Sequence, residues 1–181
     1  MVPEKKETIE QYAKRILVQI KDECPILIGL SFGGMMAIEV AKLINCKQVI
    51  LISSAKTKQE IPRYYRQAGT FLLHRLLPLW ALQSANRLTY WMFGAETEIE
   101  RNILKNILDD TDPAFLKWAI DKIVRWNNTT VPECITHIHG NTDRILPLKF
   151  VHADIVITDG GHFMVLNKAD QISKLFHVLV D

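Results

Sequence analysis

Glycine, proline and cysteine are scarce in this chain of 181 residues, at 8, 7 and 3, and neither sign of charge dominates, with 22 basic against 20 acidic side chains. With 48% hydrophobic and 23% charged residues, this composition excludes a collagen-like repeat, a coiled coil and a disordered polyelectrolyte. A net charge of +2 without a long basic run gives too weak a field to hold a polyanion, so nucleic acid is not an expected partner. Cys24, Cys46 and Cys134 are odd in number and have no C-x-x-C spacing. Neither a disulfide framework nor a zinc site is indicated, and a cytoplasmic location is expected. No apolar run approaches the roughly 18–20 residues of a membrane span: Phe71 to Trp80 is broken by His74, Arg75 and Pro78. The first residues carry no apolar signal segment, so neither export nor a membrane partner is expected.

What is present is alternation. Apolar positions Ile9, Tyr12, Ala13, Ile16, Leu17 and Ile20 follow the 3.6-residue period of a helix, with Thr8 and Gln11 placed to form a capping box. After Pro25, Ile26-Leu27-Ile28 reads as a strand buried on both faces, Met35 to Ile44 as a helix, and Val49 to Ile52 as a second buried strand. Strand, helix and strand make a parallel crossover unit. From about 58 to 128 only helical spacing is found, which marks a helical insertion. Its best start signal is Asp112-Pro113, followed by Phe115, Leu116, Ala119, Ile120, Ile123 and Val124 on one face. Strands then return over Cys134–His139 and Asp154–Thr158, and a last helix buries Ile172, Leu175, Phe176 and Leu179. A single α/β domain spanning 1–181 is expected, with a small parallel sheet and helices on both faces.

Gly29-Leu30-Ser31-Phe32-Gly33 matches G-x-S-x-G at a strand-to-helix junction. A tight turn there holds the serine in a strained conformation with its hydroxyl exposed, and Gly29 and Gly33 are expected to be glycines because a side chain would collide with the neighbouring strand and helix. Gly34 allows further close approach. The Phe32 N–H, at a helix N-terminus, is placed to stabilise an oxyanion. A serine nucleophile needs a base and an orienting acid. Asp143, in His139-Gly140-Asn141-Thr142-Asp143, and His162, after Gly160-Gly161, follow the third and fourth strands respectively, where the reactive groups of an open parallel sheet gather. Asp159 is a competing acid. His137 and His139 share a strand face without an accompanying carboxylate and read as structural, so no metal site is expected. The three cysteines read as small buried hydrophobes. Tyr64, Tyr65, Phe71, Trp80, Tyr90, Trp91 and Phe93 read chiefly as helix packing, with an acyl pocket as the alternative.

Through Gly29-Leu30-Ser31-Phe32-Gly33-Gly34, through His139 to Arg144 with Pro147, and through Gly161-His162, the chain resembles the α/β-hydrolase family over nearly its whole length. The resemblance implies a partial α/β-hydrolase fold: a parallel sheet of about four strands flanked by helices, with the insertion at about 58–128 as a lid. It implies Ser31 as nucleophile, His162 as base and Asp143 as the acid that orients it. The activity implied is hydrolysis of a small carboxylic ester or thioester through an acyl-enzyme, with no cofactor and no metal. Family members carry further strands before the nucleophile turn, and the loop after one of them supplies a second oxyanion donor. Loss of one such donor typically costs about 10²–10³ in turnover, so weak catalysis or a binding role is the alternative expectation. The strand before Ser31 is then an exposed edge, and pairing into a homodimer through that edge is expected.

Overall fold

The computed structural model describes residues 1–76, 78, 80 and 83–180. Leu77, Leu79, Ala81 and Leu82 of the expected helical insertion, and Asp181, lie outside the described residues. Helix α1, Ile9–Ile16, starts at the expected capping box: the Gln11 N–H donates to Thr8 Oγ1 at 3.2 Å and the Thr8 N–H to Gln11 Oε1 at 2.8 Å. Strand β1, Ile26–Leu30, leads through Ser31 into α2, Phe32–Ala41, and on to β2, Gln48–Ile52. Strands β3, Ile135–Gly140, and β4, Ile155–Ile157, complete a sheet of order β1-β2-β3-β4, parallel throughout. Leu30 pairs with Ile52, Ile52 with Ile138, and Gly140 with Ile157, so the strands end along one edge.

Successive residues of β2 point to opposite faces, and each face has its own core. Val49 and Leu51 join Ala13 of α1 and Ile38 of α2 on one side. Ile50 and Ile52 join Ile138 and Ile157 on the other, under two further helices, α7, Met164–Asn167, and α8, Ala169–Val180. The continuous apolar run of β2 is the signature of burial on both sides, and truncating a side chain such as Leu51 to alanine would cost about 2–5 kcal/mol.

β1 departs from the expectation of burial on both faces: Ile28 is 53% and Leu30 37% exposed. The cause is its place at the sheet edge. The core under α8 takes in Ile26 and leaves the rest of that face of β1 uncovered.

Between β2 and β3 the described residues form helices and no strand. These are α3, Arg63–Thr70; α4, Arg87–Phe93; α5, Glu98–Asp110; and α6, Pro113–Arg125. Asp112 caps α6 as expected, accepting the Phe115 N–H at 2.8 Å, with Pro113 at the first helical position. Two indoles tie the end of this block to the sheet layer: Trp118 Nε1 donates to the Glu7 carbonyl at 2.9 Å and Trp126 Nε1 to Glu39 Oε1 at 2.8 Å.

The cysteines divide. Cys24 is exposed in the loop before β1, contrary to the buried role expected of it, because that loop lies against no core. Cys46 and Cys134 are partly buried with their sulfurs 3.7 Å apart, and burial pushes the Cys46 thiol up to about 11, far from a thiolate nucleophile.

Candidate active site

The site stands at the ends of β1, β3 and β4. Ser31 takes φ +52° and ψ −119°, a left-handed backbone that a β-substituted residue adopts only under strain. Close packing holds it there. The Ser31 N–H donates to the Ile52 carbonyl at 2.9 Å, and the Ser54 hydroxyl donates to the Ser31 carbonyl at 2.7 Å. A Cβ at Gly29 would lie 2.3 Å from the Gly33 carbonyl oxygen, and one at Gly34 would lie 2.5 Å from Ser54 Oγ. Gly33 differs from expectation: a Cβ there would meet nothing within 4 Å, so Gly29 and Gly34 are the positions where the strand, the helix and the β2 loop leave no room. Phe32 is the first residue of α2, and its N–H is one of the donors a helix cannot pair internally.

Asp143 is buried in the loop after β3. Its Oδ1 accepts two backbone N–H groups, Ile145 at 2.9 Å and Leu146 at 2.8 Å, which orients the carboxylate and leaves Oδ2 free for His162 Nδ1 at 2.8 Å. On the other side of the ring, His162 Nε2 is 2.9 Å from Ser31 Oγ. With Nδ1–H donating to the carboxylate, Nε2 carries the lone pair and accepts the serine hydroxyl proton. Phe93 packs edge-on against the imidazole, ring centroids 5.6 Å apart. The loops carrying acid and base are pressed together, since a Cβ at Gly140 would lie 2.1 Å from the Gly160 carbonyl oxygen.

The structure thus brings together Ser31, Asp143 and His162 and places the Phe32 N–H beside them. Asp159, the competing acid, is exposed at φ +55°, its N–H bound to Asn141 Oδ1 at 2.8 Å, and it makes no hydrogen bond to His162. Arg144 leaves Asp143 alone and donates to the Trp91 carbonyl at 2.6 Å.

His137 and His139 are fully buried beneath the site, and a carboxylate does accompany them: His139 Nε2 is 3.5 Å from Asp143 Oδ2. His139 Nε2–H donates to the Leu146 carbonyl at 2.8 Å, so its Nδ1 faces His137 Nε2 as a lone pair at 3.3 Å. His137 Nε2 also lies 3.4 Å from the Ser54 N–H, so it either donates to His139 or accepts from Ser54. Its Nδ1 has no partner among the described residues. Burial, reinforced by His139, pulls His137 down to about 3, and burial lowers His139 as well, so both rings are neutral and pack as polar filling under Asp143. No group of three or more potential metal-binding side chains occurs among the described residues. The proximity of these rings to Asp143 escaped sequence reasoning because β3 spacing shows only that they share a face. Ser54 carried no sequence signal at all.

Of the aromatics expected to pack between helices, Tyr65, Tyr90 and Phe93 are partly buried, whereas Tyr64, Phe71, Trp80 and Trp91 are exposed. Burial, with the Tyr64 hydroxyl and the Asp143 charge, pushes Tyr65 up to about 12.

No family model matches the chain, and no curated protein matches its sequence. Solved structures do. A hydrolase from Pseudomonas aeruginosa PA01 superposes with a TM-score of 0.74 at 14% identity over 99% of this chain and 74% of that one. A thermophilic esterase from Thermogutta terrifontis gives 0.67 at 15% identity, with 99% and 74% covered. A meta-cleavage product hydrolase from Pseudomonas fluorescens IP01 gives 0.64 at 17% identity, with 98% and 74% covered. Identities this low speak for architecture alone, and the architecture shared across nearly the whole chain is plain: this protein has the α/β-hydrolase fold.

Proposed function

We propose that the protein is a serine hydrolase that cleaves a small carboxylic ester or thioester through an acyl-enzyme. One observation carries this reading: an unbroken chain of hydrogen bonds, 2.9 Å from Ser31 Oγ to His162 Nε2 and 2.8 Å from His162 Nδ1 to Asp143 Oδ2, ending on a serine at φ +52°. A structural serine has no need of a strained backbone and a buried imidazole–carboxylate pair. His162 takes the Ser31 proton as Oγ attacks the carbonyl, Asp143 stabilises the imidazolium, and the Phe32 N–H donates to the oxyanion. His162 then protonates the leaving group and activates water for deacylation. Similarity to the solved structure of the thermophilic esterase supports ester chemistry. The helices between β2 and β3 act as the lid, and Phe93 on the imidazole edge supports that placement.

The test is covalent labelling of the intact chain with a fluorophosphonate. Modification of Ser31, abolished in Ser31→Ala and sharply slowed in His162→Ala, is the expected result; a folded protein that resists the reagent overturns the reading. Product analysis with added alcohols or thiols separates hydrolysis from acyl transfer.

The uncovered edge of β1, with Ile28 and Leu30 exposed, supports a second reading in which this edge pairs with the same strand of a second copy. Light scattering on a size-exclusion column tests it: a dimer that Ile28→Lys dissociates supports it, and a monomer at every concentration disposes of it.

A further inference from the structure

We propose that the protein binds a small organic anion, an aryl or similarly planar group bearing a carboxylate or phosphate, in a cavity behind the Asp143 and His162 loops. The cavity has a volume of about 560 Å³, within the usual range for small-molecule sites, and its lining includes Arg87, Tyr90, Trp91, Glu96, Arg101 and Arg144. None of Ser31, Asp143 and His162 lines it, so it is separate from the site described above.

Charge gives the sign of the ligand. Three arginines and one glutamate line the same space, and among the described residues none of the three arginines forms a salt bridge. Such an arrangement repels itself until an anion enters it.

Pre-organisation gives the site its specificity. Arg144 is held twice, by donation from Nη1 to the Trp91 carbonyl at 2.6 Å and by stacking of its guanidinium 4.7 Å from the Trp91 ring centroid. Arg101 donates from Nε to the Ala95 carbonyl at 3.3 Å and lies 5.7 Å from the Tyr90 ring centroid. Each guanidinium has five N–H donors and gives one to a main-chain carbonyl, so the rest remain for oxyanion oxygens, with much of the rotamer entropy already lost. The turn that aims these groups is built for closeness. Gly94 ends α4 at φ +75°, and its backbone abuts Gly161, so the cavity wall rests on the loop that carries His162.

The aromatic walls give the rest of the ligand. Trp91 is 56% exposed and Tyr90 only partly covered, and apolar ring surface beside cationic groups suits a planar group attached to the anion.

Titration calorimetry of the full chain at low ionic strength, with phenyl phosphate, benzoate and the neutral benzamide as probes, tests the proposal. One-to-one binding of phenyl phosphate or benzoate is expected, with benzamide weaker by about tenfold or more, and the tighter anion identifies the headgroup as phosphate or carboxylate. Arg87→Gln and Arg101→Gln, both at exposed positions, are each expected to weaken the anion by about tenfold with the melting temperature unchanged. Ser31→Ala is expected to bind as the native chain does, which keeps this result independent of whether Ser31 is a nucleophile. Absence of binding to millimolar anion overturns the proposal. So does equal affinity for benzamide, binding that survives both arginine substitutions, or binding lost in Ser31→Ala.

Discussion

Nε2 of His162 lies 2.9 Å from the hydroxyl of Ser31, although 131 positions separate the two residues. The contact exists because β1 and β4, at opposite edges of the sheet, run in the same direction, so Ser31 at the end of β1 and the loop after β4 that carries His162 leave the sheet at the same rim.

Asp143→Asn is expected to reduce ester turnover by roughly 10⁴-fold, as removal of the equivalent carboxylate does in serine proteases, while leaving the fold intact. The backbone N–H groups of Ile145 and Leu146 would claim the amide oxygen and turn its NH₂ towards His162 Nδ1. The imidazole would then carry its proton on Nε2 and could not accept one from Ser31. Steady-state kinetics beside a circular dichroism spectrum checks this, and turnover within tenfold of the native chain would contradict it.

Gly34→Ala and Gly33→Ala should diverge although the positions are adjacent. At Gly34 the new methyl meets Ser54 Cβ at 2.6 Å, and the resulting shift also strains the Ser54–Ser31 hydrogen bond, for a loss of about 1–3 kcal/mol. At Gly33 there is open space inside α2, and alanine is expected to stabilise by up to about 1 kcal/mol through helix propensity. Urea denaturation of the two variants measures the difference.

Acid should weaken the fold well above the range in which carboxylates titrate. His137 is lowered from 6.5 to about 3 and His139 is lowered too, so below about pH 6.5 the unfolded chain binds protons that the folded chain refuses. Stability contributed by neutral His137 is complete above its unfolded value and is lost as pH falls towards about 3, with a slope of up to about 1.4 kcal/mol per pH unit. Asp121, held at about 2 against 3.8 by His74, Arg75 and nearby cations despite its burial, adds a further loss below about pH 4. Denaturation midpoints between about pH 7 and pH 4 should therefore decline, and His137→Gln should flatten that decline. An equal slope in the variant would contradict the assignment.

Asp121 also fastens α6 to the turn after α3. Its Oδ1 receives His74 Nε2 at 2.9 Å and Arg75 Nη2 at 3.0 Å, and Oδ2 lies 3.4 Å from Arg125 Nη1. Asp121→Ala strands the buried His74 ring, while the exposed arginines recover water, so a loss of about 1–3 kcal/mol is expected. Hydrogen exchange of the α6 amides provides the measurement, and unchanged protection there would count against the role.

Short-range physics was readable without coordinates. Thr8 with Gln11, Asp112 with Pro113, the apolar run of β2 and Gly29 beside Ser31 each act within a few residues, so a linear pattern carries them. From these followed the alternation of strands and helices, the helical stretch between β2 and β3, and the placing of Ser31, Asp143 and His162 beyond strand ends. Tertiary structure decided the rest. That Asp143 and not Asp159 meets the imidazole depends on which carboxylate the Ile145 and Leu146 N–H groups orient. That Gly34 and not Gly33 is indispensable depends on Ser54, a residue on another strand's loop. The exposure of Ile28, and the burial of His137 and His139 under Asp143, depend on which neighbours the parallel register supplies. Such pairings join residues far apart along the chain, and neither periodicity nor capping contains information about them.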